Sequence, residues 1–109
     1  MREIDAARLE AALADGAQLV DVREPGEYAQ AHVPGATLIP MGQLSARMSE
    51  LDRTATVHVI CASGNRSSAM VDLLAASGFD AVNVAGGTSG WVRSGRPVEG
   101  GARWATRPR

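Results

Sequence analysis

The sequence predicts an α/β fold built on a largely parallel sheet covered by helices on both faces. Three observations carry this. Short apolar runs that suit strands recur at 18–22, 36–39, 56–60 and 81–84. Segments with helical spacing of apolar residues alternate with them. The runs are also nearly continuous in apolar residues, as strands buried on both faces require. At 109 residues the chain is large enough for one core and too small for two.

The elements follow in order. From Asp5 to Ala14, the residues Ala7, Leu9, Ala11, Ala12 and Ala14 lie among acids; Asp5 can cap the free N–H groups and Gly16 ends the helix. Gln18-Leu19-Val20-Asp21-Val22 is a buried strand halted at Arg23-Glu24-Pro25-Gly26. Two helical turns over 24–31 are compatible with Pro25 near their start, where its missing N–H costs nothing. Pro34-Gly35 is turn chemistry before the strand Ala36-Thr37-Leu38-Ile39, which Pro40 stops. Leu44, Met48 and Leu51, spaced by four and three, predict a helix over 43–51. The β-branched Thr56-Val57-His58-Val59-Ile60 suits a central strand. A helix over 67–76 follows, with Ser67 as N-cap, Met70, Val71, Leu73 and Leu74 in register, and Ser77-Gly78 as its end. Ala81-Val82-Asn83-Val84 is a last strand, and Gly86-Gly87 leads into a helix over 88–94. Residues 100–109 show no period and are expected to fray as an arginine-rich flexible tail.

Composition narrows the function. A formal net charge of −1 gives no field to recruit nucleic acid or an anionic membrane. No segment approaches the roughly 18 to 20 apolar residues that span a bilayer. The start, Met1-Arg2-Glu3-Ile4-Asp5, places acids where a signal peptide carries basic and apolar regions, so a cytoplasmic, uncleaved protein is expected. All eleven basic residues are arginine, which removes lysine as a base or Schiff-base former. Arg93, Arg96, Arg103, Arg107 and Arg109 crowd the end of the chain against one acid, Glu99, as a solvated charge run. A single cysteine, Cys61, can form no internal disulfide and no thiolate cage for a metal. It is either a structural thiol or a reactive one.

The chemistry concentrates where Val59-Ile60 ends and Cys61-Ala62-Ser63-Gly64-Asn65-Arg66-Ser67-Ser68 begins. A lone cysteine at the end of a core strand is commonly a small buried hydrophobe. A hydrophobe, though, needs neither a tight amide-rich turn nor an arginine. In a parallel sheet, ligands sit beyond the carboxyl ends of the strands, where Cys61 falls. The N–H groups and positive dipole end of the following helix, with the permanent charge of Arg66, favour an anion and lower the pKa of a nearby thiol.

The spacing Cys61-x-x-Gly64-x-Arg66-Ser67 resembles the active-site loop of single-domain rhodanese sulfurtransferases. Leu19-Val20-Asp21-Val22-Arg23-Glu24, Glu27-Tyr28, His32-Val33-Pro34-Gly35-Ala36, Gly86-Gly87, Trp91 and Gly95-x-Pro97-Val98 are similar to that family's other signature stretches. The likeness spans roughly residues 3–99 and implies a rhodanese-like domain over 1–99, with 100–109 as the tail. The implied fold is a three-layer α/β/α domain around a central, mostly parallel sheet of about five strands.

The resemblance also implies a mechanism. Cys61, as thiolate, would take sulfane sulfur from thiosulfate or another persulfide donor and hold it as a persulfide. It would then pass the sulfur to cyanide or a thiol in a two-step, ping-pong reaction without cofactor or metal. The backbone N–H groups of Ala62, Ser63, Gly64, Asn65, Arg66 and Ser67 would cradle the terminal sulfur, with Gly64 permitting the turn. With no second cysteine the acceptor must be external: a small thiol, cyanide, or a thioredoxin-like or sulfur-carrier protein. Inside the loop only Arg66 is charged, unlike members with extra basic residues that hold thiosulfate, so a persulfide donor competes with thiosulfate as the expected substrate.

Two other readings stand beside it. Cysteine phosphatases and arsenate reductases of this general type use Cys-x5-Arg to grip a tetrahedral oxyanion, whereas Cys61 and Arg66 enclose four residues, a smaller cradle suited to sulfur. The fold can also serve as a docking or sulfide-sensing module, whose sequence sign would be a missing cysteine. Asp21 and Arg23 are the supporting candidates; Arg23 either pairs with an acid to brace the sheet edge or lies near the substrate mouth, and bracing is preferred. His32 is expected to be structural, Trp91 core or a wall beside the loop, and Trp104 has no pattern that assigns it a role.

Overall fold

The structure, a computed structural model, describes residues 2–100. The proposed tail from Gly101 on, with Arg103, Trp104, Arg107 and Arg109, lies outside the described residues; Gly100 is described and lies against the carbonyl of Ala29.

Five strands form one sheet in the order β1-β5-β4-β2-β3: β1 (Glu3–Ile4), β2 (Gln18–Asp21), β3 (Thr37–Leu38), β4 (Val57–Ile60) and β5 (Ala81–Val84). Every pairing between them is parallel. Alternation along the strands divides the core between two faces. Val20, Val57, Val59 and Cys61 pack with Leu44, Val71, Leu74 and Phe79 on the face covered by α3 (Leu44–Arg47) and α4 (Asn65–Ala76). Leu19, Ile60 and Val84 pack with Leu9, Val33 and Trp91 under α1 (Ala6–Ala14) and α5 (Gly87–Arg93). This is the expected three-layer α/β/α arrangement. Asp5 caps α1 by accepting the Arg8 N–H, and α2 (Pro25–Gln30) starts in a reciprocal Glu24/Glu27 capping box with proline in its first turn.

The structure departs from the sequence reading in three places. Strand β1 was not anticipated; it has two residues, too few to show a period, and is defined by pairing Glu3 with Asn83 and Ile4 with Val84. The helix expected over 43–51 is α3 flanked by 3-10 turns at Met41–Gln43 and Met48–Glu50. Leu44 and Leu51 are buried as the spacing required, but the step of three from Met48 to Leu51 is taken by the tighter helix. Helix α4 begins at Asn65 with Gly64 as its N-cap, two residues before the expected start. Ser67 is therefore inside the first turn, and its hydroxyl is released from capping.

His32 is structural, as expected. Its Nδ1 donates to the Tyr28 carbonyl at 2.8 Å, its ring stacks on Tyr28 at 3.7 Å, and its backbone bridges to Glu99. Trp91 belongs to the core, with its Nε1 donating to the Pro97 carbonyl at 2.7 Å.

Candidate active site

Strand β4 delivers Cys61 to the carboxyl edge of the sheet, between β5 and β2, and the chain turns there into α4. Gly64 makes the turn at φ +108°, a conformation that side chains rarely adopt. Its amide thereby points back at the sulfur, donating to Cys61 Sγ at 3.1 Å.

A second glycine orients the rest of the loop. Gly87 presses on it so closely that a Cβ there would lie 2.4 Å from the Cys61 carbonyl oxygen and 2.6 Å from that of Ala62. Only because it lacks one can the first turn of α5 approach, with the Thr88 N–H donating to Cys61 O at 2.9 Å and the Ser89 N–H to Ala62 O at 3.0 Å. In a planar trans peptide the next N–H points opposite the carbonyl. Holding Ala62 O toward α5 therefore turns the Ser63 N–H toward the sulfur.

Cys61 is buried, and burial pushes its thiol pKa up. Hydrogen bonds from the Ser67 hydroxyl and from the amides of Ser67, Gly64 and Ser63 more than offset this, leaving it below the ordinary thiol value. The α4 N-terminus acts in the same direction. Of the expected loop residues, Ser63, Gly64 and Ser67 converge on the sulfur, Ala62 anchors to α5, and Asn65 opens α4 with an exposed side chain.

Arg66 is placed differently from the expectation that it charges the loop directly. Its fork grips Glu27 of α2, with Nη1 to Oε1 at 2.7 Å and Nη2 to Oε2 at 2.8 Å. The Arg66 hydrogen bonds, with one from the Glu24 amide, hold the Glu27 carboxyl down at about 2. Arg66 reaches the thiol only through its field.

Asp21 and Arg23 form the brace that the sequence favoured. Arg23 Nε and Nη2 donate to the Asp21 carboxylate at 2.8 to 3.2 Å, Nη2 also donates to Ala31 O at 2.7 Å, and both side chains are buried. The pair ties the end of β2 to the end of α2. Arg23 also lines a cavity of about 320 Å³ together with Ala62, Thr88, Ser89, Val92 and Arg93. In that cavity Arg93 has no ion pair, and the buried Thr88 Oγ1 no hydrogen bond, among the described residues.

Four contributors were missed from sequence. Glu27 stood in a recognised stretch without a role, because its partner is 39 residues away. Thr88 carries no sequence signal, and Arg93 falls in the arginine run expected to be solvated, whereas it lines the cavity beside Ala62. Asn83 does carry a signal: a polar residue in the middle of a fully buried strand needs a hydrogen-bond partner.

A family model described as "Rhodanese-like domain" matches residues 5–94. The chain is 39% identical over 101 residues to a protein of Allochromatium vinosum named "Sulfurtransferase", covering 90% of this chain and 94% of that one. It is 39% identical over 75 residues to a proposed sulfur carrier protein of Bacillus subtilis, covering 68% of this chain and 40% of the relative. Among solved structures, a rhodanese-related protein of Thermoplasma volcanium superimposes with a TM-score of 0.85 at 36% identity, covering 91% of this chain and 98% of the other. Among the described residues no helix is long and apolar enough to cross a membrane.

Proposed function

The chain belongs to the rhodanese-like domain family and is of sulfurtransferase type; from that premise we propose that Cys61 is its nucleophile and the carrier of the transferred sulfur. The observation that carries the proposal is the convergence on one buried sulfur of the Ser63, Gly64 and Ser67 amides and the Ser67 hydroxyl. Such an array stabilises negative charge at sulfur without a cation in contact.

The Cys61 thiolate attacks the outer sulfur of a donor. With thiosulfate, the new Sγ–S bond forms as the donor's S–S bond breaks, and sulfite leaves with the bonding pair. The persulfide's charge now sits on the terminal sulfur, facing the loop amides. An acceptor, cyanide or a thiolate, attacks that terminal sulfur; the Sγ–S bond breaks and Cys61 leaves as thiolate. No base is needed, since the attacking group is already ionised.

A phosphatase reading loses its main residue, because the Arg66 fork that would take two phosphate oxygens is occupied by Glu27. The donor is an anion on this reading: the cavity beside Ala62 offers Arg93, which has no ion pair among the described residues, together with the Thr88 and Ser89 side chains, while Arg23 lines it with its charge paired to Asp21. The absence of a second cysteine makes the acceptor external, and a sulfur-carrier protein is a fitting one. Comparing turnover with thiosulfate, glutathione persulfide and 3-mercaptopyruvate tests the donor class. Turnover with the first two and none with the third is expected; phosphate release from an aryl phosphate without any sulfur transfer would contradict the proposal.

A further inference from the structure

Behind the sulfur lies a chain of hydrogen bonds that the transfer scheme above does not use. Ser67 Oγ stands 3.3 Å from Cys61 Sγ and 2.5 Å from Asn83 Oδ1. Asn83 Nδ2 donates to Glu3 Oε2 of β1 at 2.8 Å and to the Gly64 carbonyl at 3.3 Å. Ser67 and Asn83 are both buried. The amide's orientation is thereby fixed: its nitrogen faces two oxygens that only accept, so its oxygen must face Ser67. The Ser67 hydroxyl then has two acceptors in reach and one proton.

We propose that Asn83 is a positioning residue that competes with Cys61 for the Ser67 proton and so biases the site toward the sulfur-loaded state. The proposal rests on the sulfurtransferase reading of the site. In the resting thiol, Ser67 donates to Asn83 Oδ1 and accepts from the Cys61 S–H. When the thiol gives its proton to water, the hydroxyl rotates about its Cβ–Oγ bond and donates to the thiolate, leaving Asn83 Oδ1 without its donor in a buried place. Once sulfur is loaded, the charge has moved to the terminal sulfur and Sγ is neutral, so the hydroxyl returns to Asn83. A buried acceptor left unmade is costly, and that cost falls on the unloaded thiolate alone. No bond is made or broken in this motion beyond exchange of the hydrogen bond. Asn83 thus keeps the thiolate basic enough to be a good nucleophile, since nucleophilicity falls as thiol pKa falls.

The competing view, that Asn83 merely pins the loop through Gly64 O, predicts the opposite sign. The charged groups around the sulfur are Arg66 on α4 with its Glu27 partner on α2, the Asp21–Arg23 pair after β2, and Glu3 on β1; Asn83→Leu adds no charge to them, whereas Asn83→Asp adds one in both backgrounds, so for that variant only the difference between the backgrounds reports the hydroxyl.

The test is the pH dependence of Cys61 alkylation by iodoacetamide in the full chain, which needs no sulfur donor and is independent of whether persulfide forms. Asn83→Leu should lower the half-point by about half to one pH unit, the worth of one hydrogen bond. In a Ser67→Ala background the same change should move it little. Asn83→Asp, which keeps the side-chain volume if the leucine variant fails to fold, should raise the half-point, and raise it less without the Ser67 hydroxyl. An Asn83→Leu half-point that is unchanged or raised, or an Asn83→Asp shift of equal size in both backgrounds, overturns the proposal. The sulfurtransferase reading fails separately, if wild type acquires sulfur from no donor.

Discussion

The Arg66 guanidinium forks onto the Glu27 carboxylate, at 2.7 and 2.8 Å, and leaves Cys61 to the loop amides. The arginine thus staples α4, which carries the loop, to α2, whose far end is tied to β2 by Arg23. Each side chain of the pair is about a third exposed, 33% and 36%, so solvent screens it and its stabilising contribution is modest.

Its pH dependence is nevertheless specific. Glu27 is held at about 2 in the folded protein against an ordinary 4.5. A depressed carboxyl contributes stability that is complete above the unfolded value and is lost as pH falls from about 4.5 through 2. Glu27→Gln should therefore have a flatter stability profile than wild type across that interval, read as denaturant midpoint against pH. Parallel profiles would show that the pair does not carry this dependence.

Gly87→Ala should be poorly tolerated, because its Cβ would fall 2.4 Å from Cys61 O in a backbone at φ +58°. A loss of about 1–3 kcal/mol of stability is expected from the overlap alone. Alkylation at neutral pH should also slow, because displacing α5 frees the Ala62 carbonyl and with it the Ser63 amide. Gly26→Ala, where a Cβ meets nothing within 4 Å, is the matched control and should leave both unchanged.

Asp21→Asn separates bracing from substrate contact. It leaves the buried Arg23 charge without its partner, which costs about 3–5 kcal/mol in comparable pairs. Well below the lowered melting temperature, KM for the donor should stay near wild type. A normal melting temperature with a raised KM would assign Arg23 to the substrate instead.

Arg93→Ala should raise KM for thiosulfate several-fold, since a lost ionic hydrogen bond is worth about 1.5–3 kcal/mol when the site excludes water and less where it is open. Loading from an uncharged organic sulfane donor should change little. Equal effects on both donors would remove Arg93 from donor binding.

The sheet was legible because apolar β-branched runs such as 56–60 leave few alternatives, and the loop because Cys61, Gly64 and Arg66 carry chemistry at fixed spacing. Strand β1 was not legible, since two residues have no period and its identity is supplied by β5. The Ser67 role was missed for a local reason: serine before an apolar helical run usually caps it, and here Gly64 takes that position through a positive φ. Glu27 and Asn83 act through partners 39 and 16 residues away, and such pairings exist only once the sheet has formed.

The central claim is that Cys61 carries sulfur as a persulfide. Intact-protein mass measurement after incubation with thiosulfate or glutathione persulfide tests it most directly. Wild type should gain the mass of one sulfur atom, lose it on adding cyanide with thiocyanate formed in equal amount, and Cys61→Ser should show neither change. A wild-type protein that gains no sulfur from either donor, or a Cys61→Ser variant that still transfers it, would contradict the account.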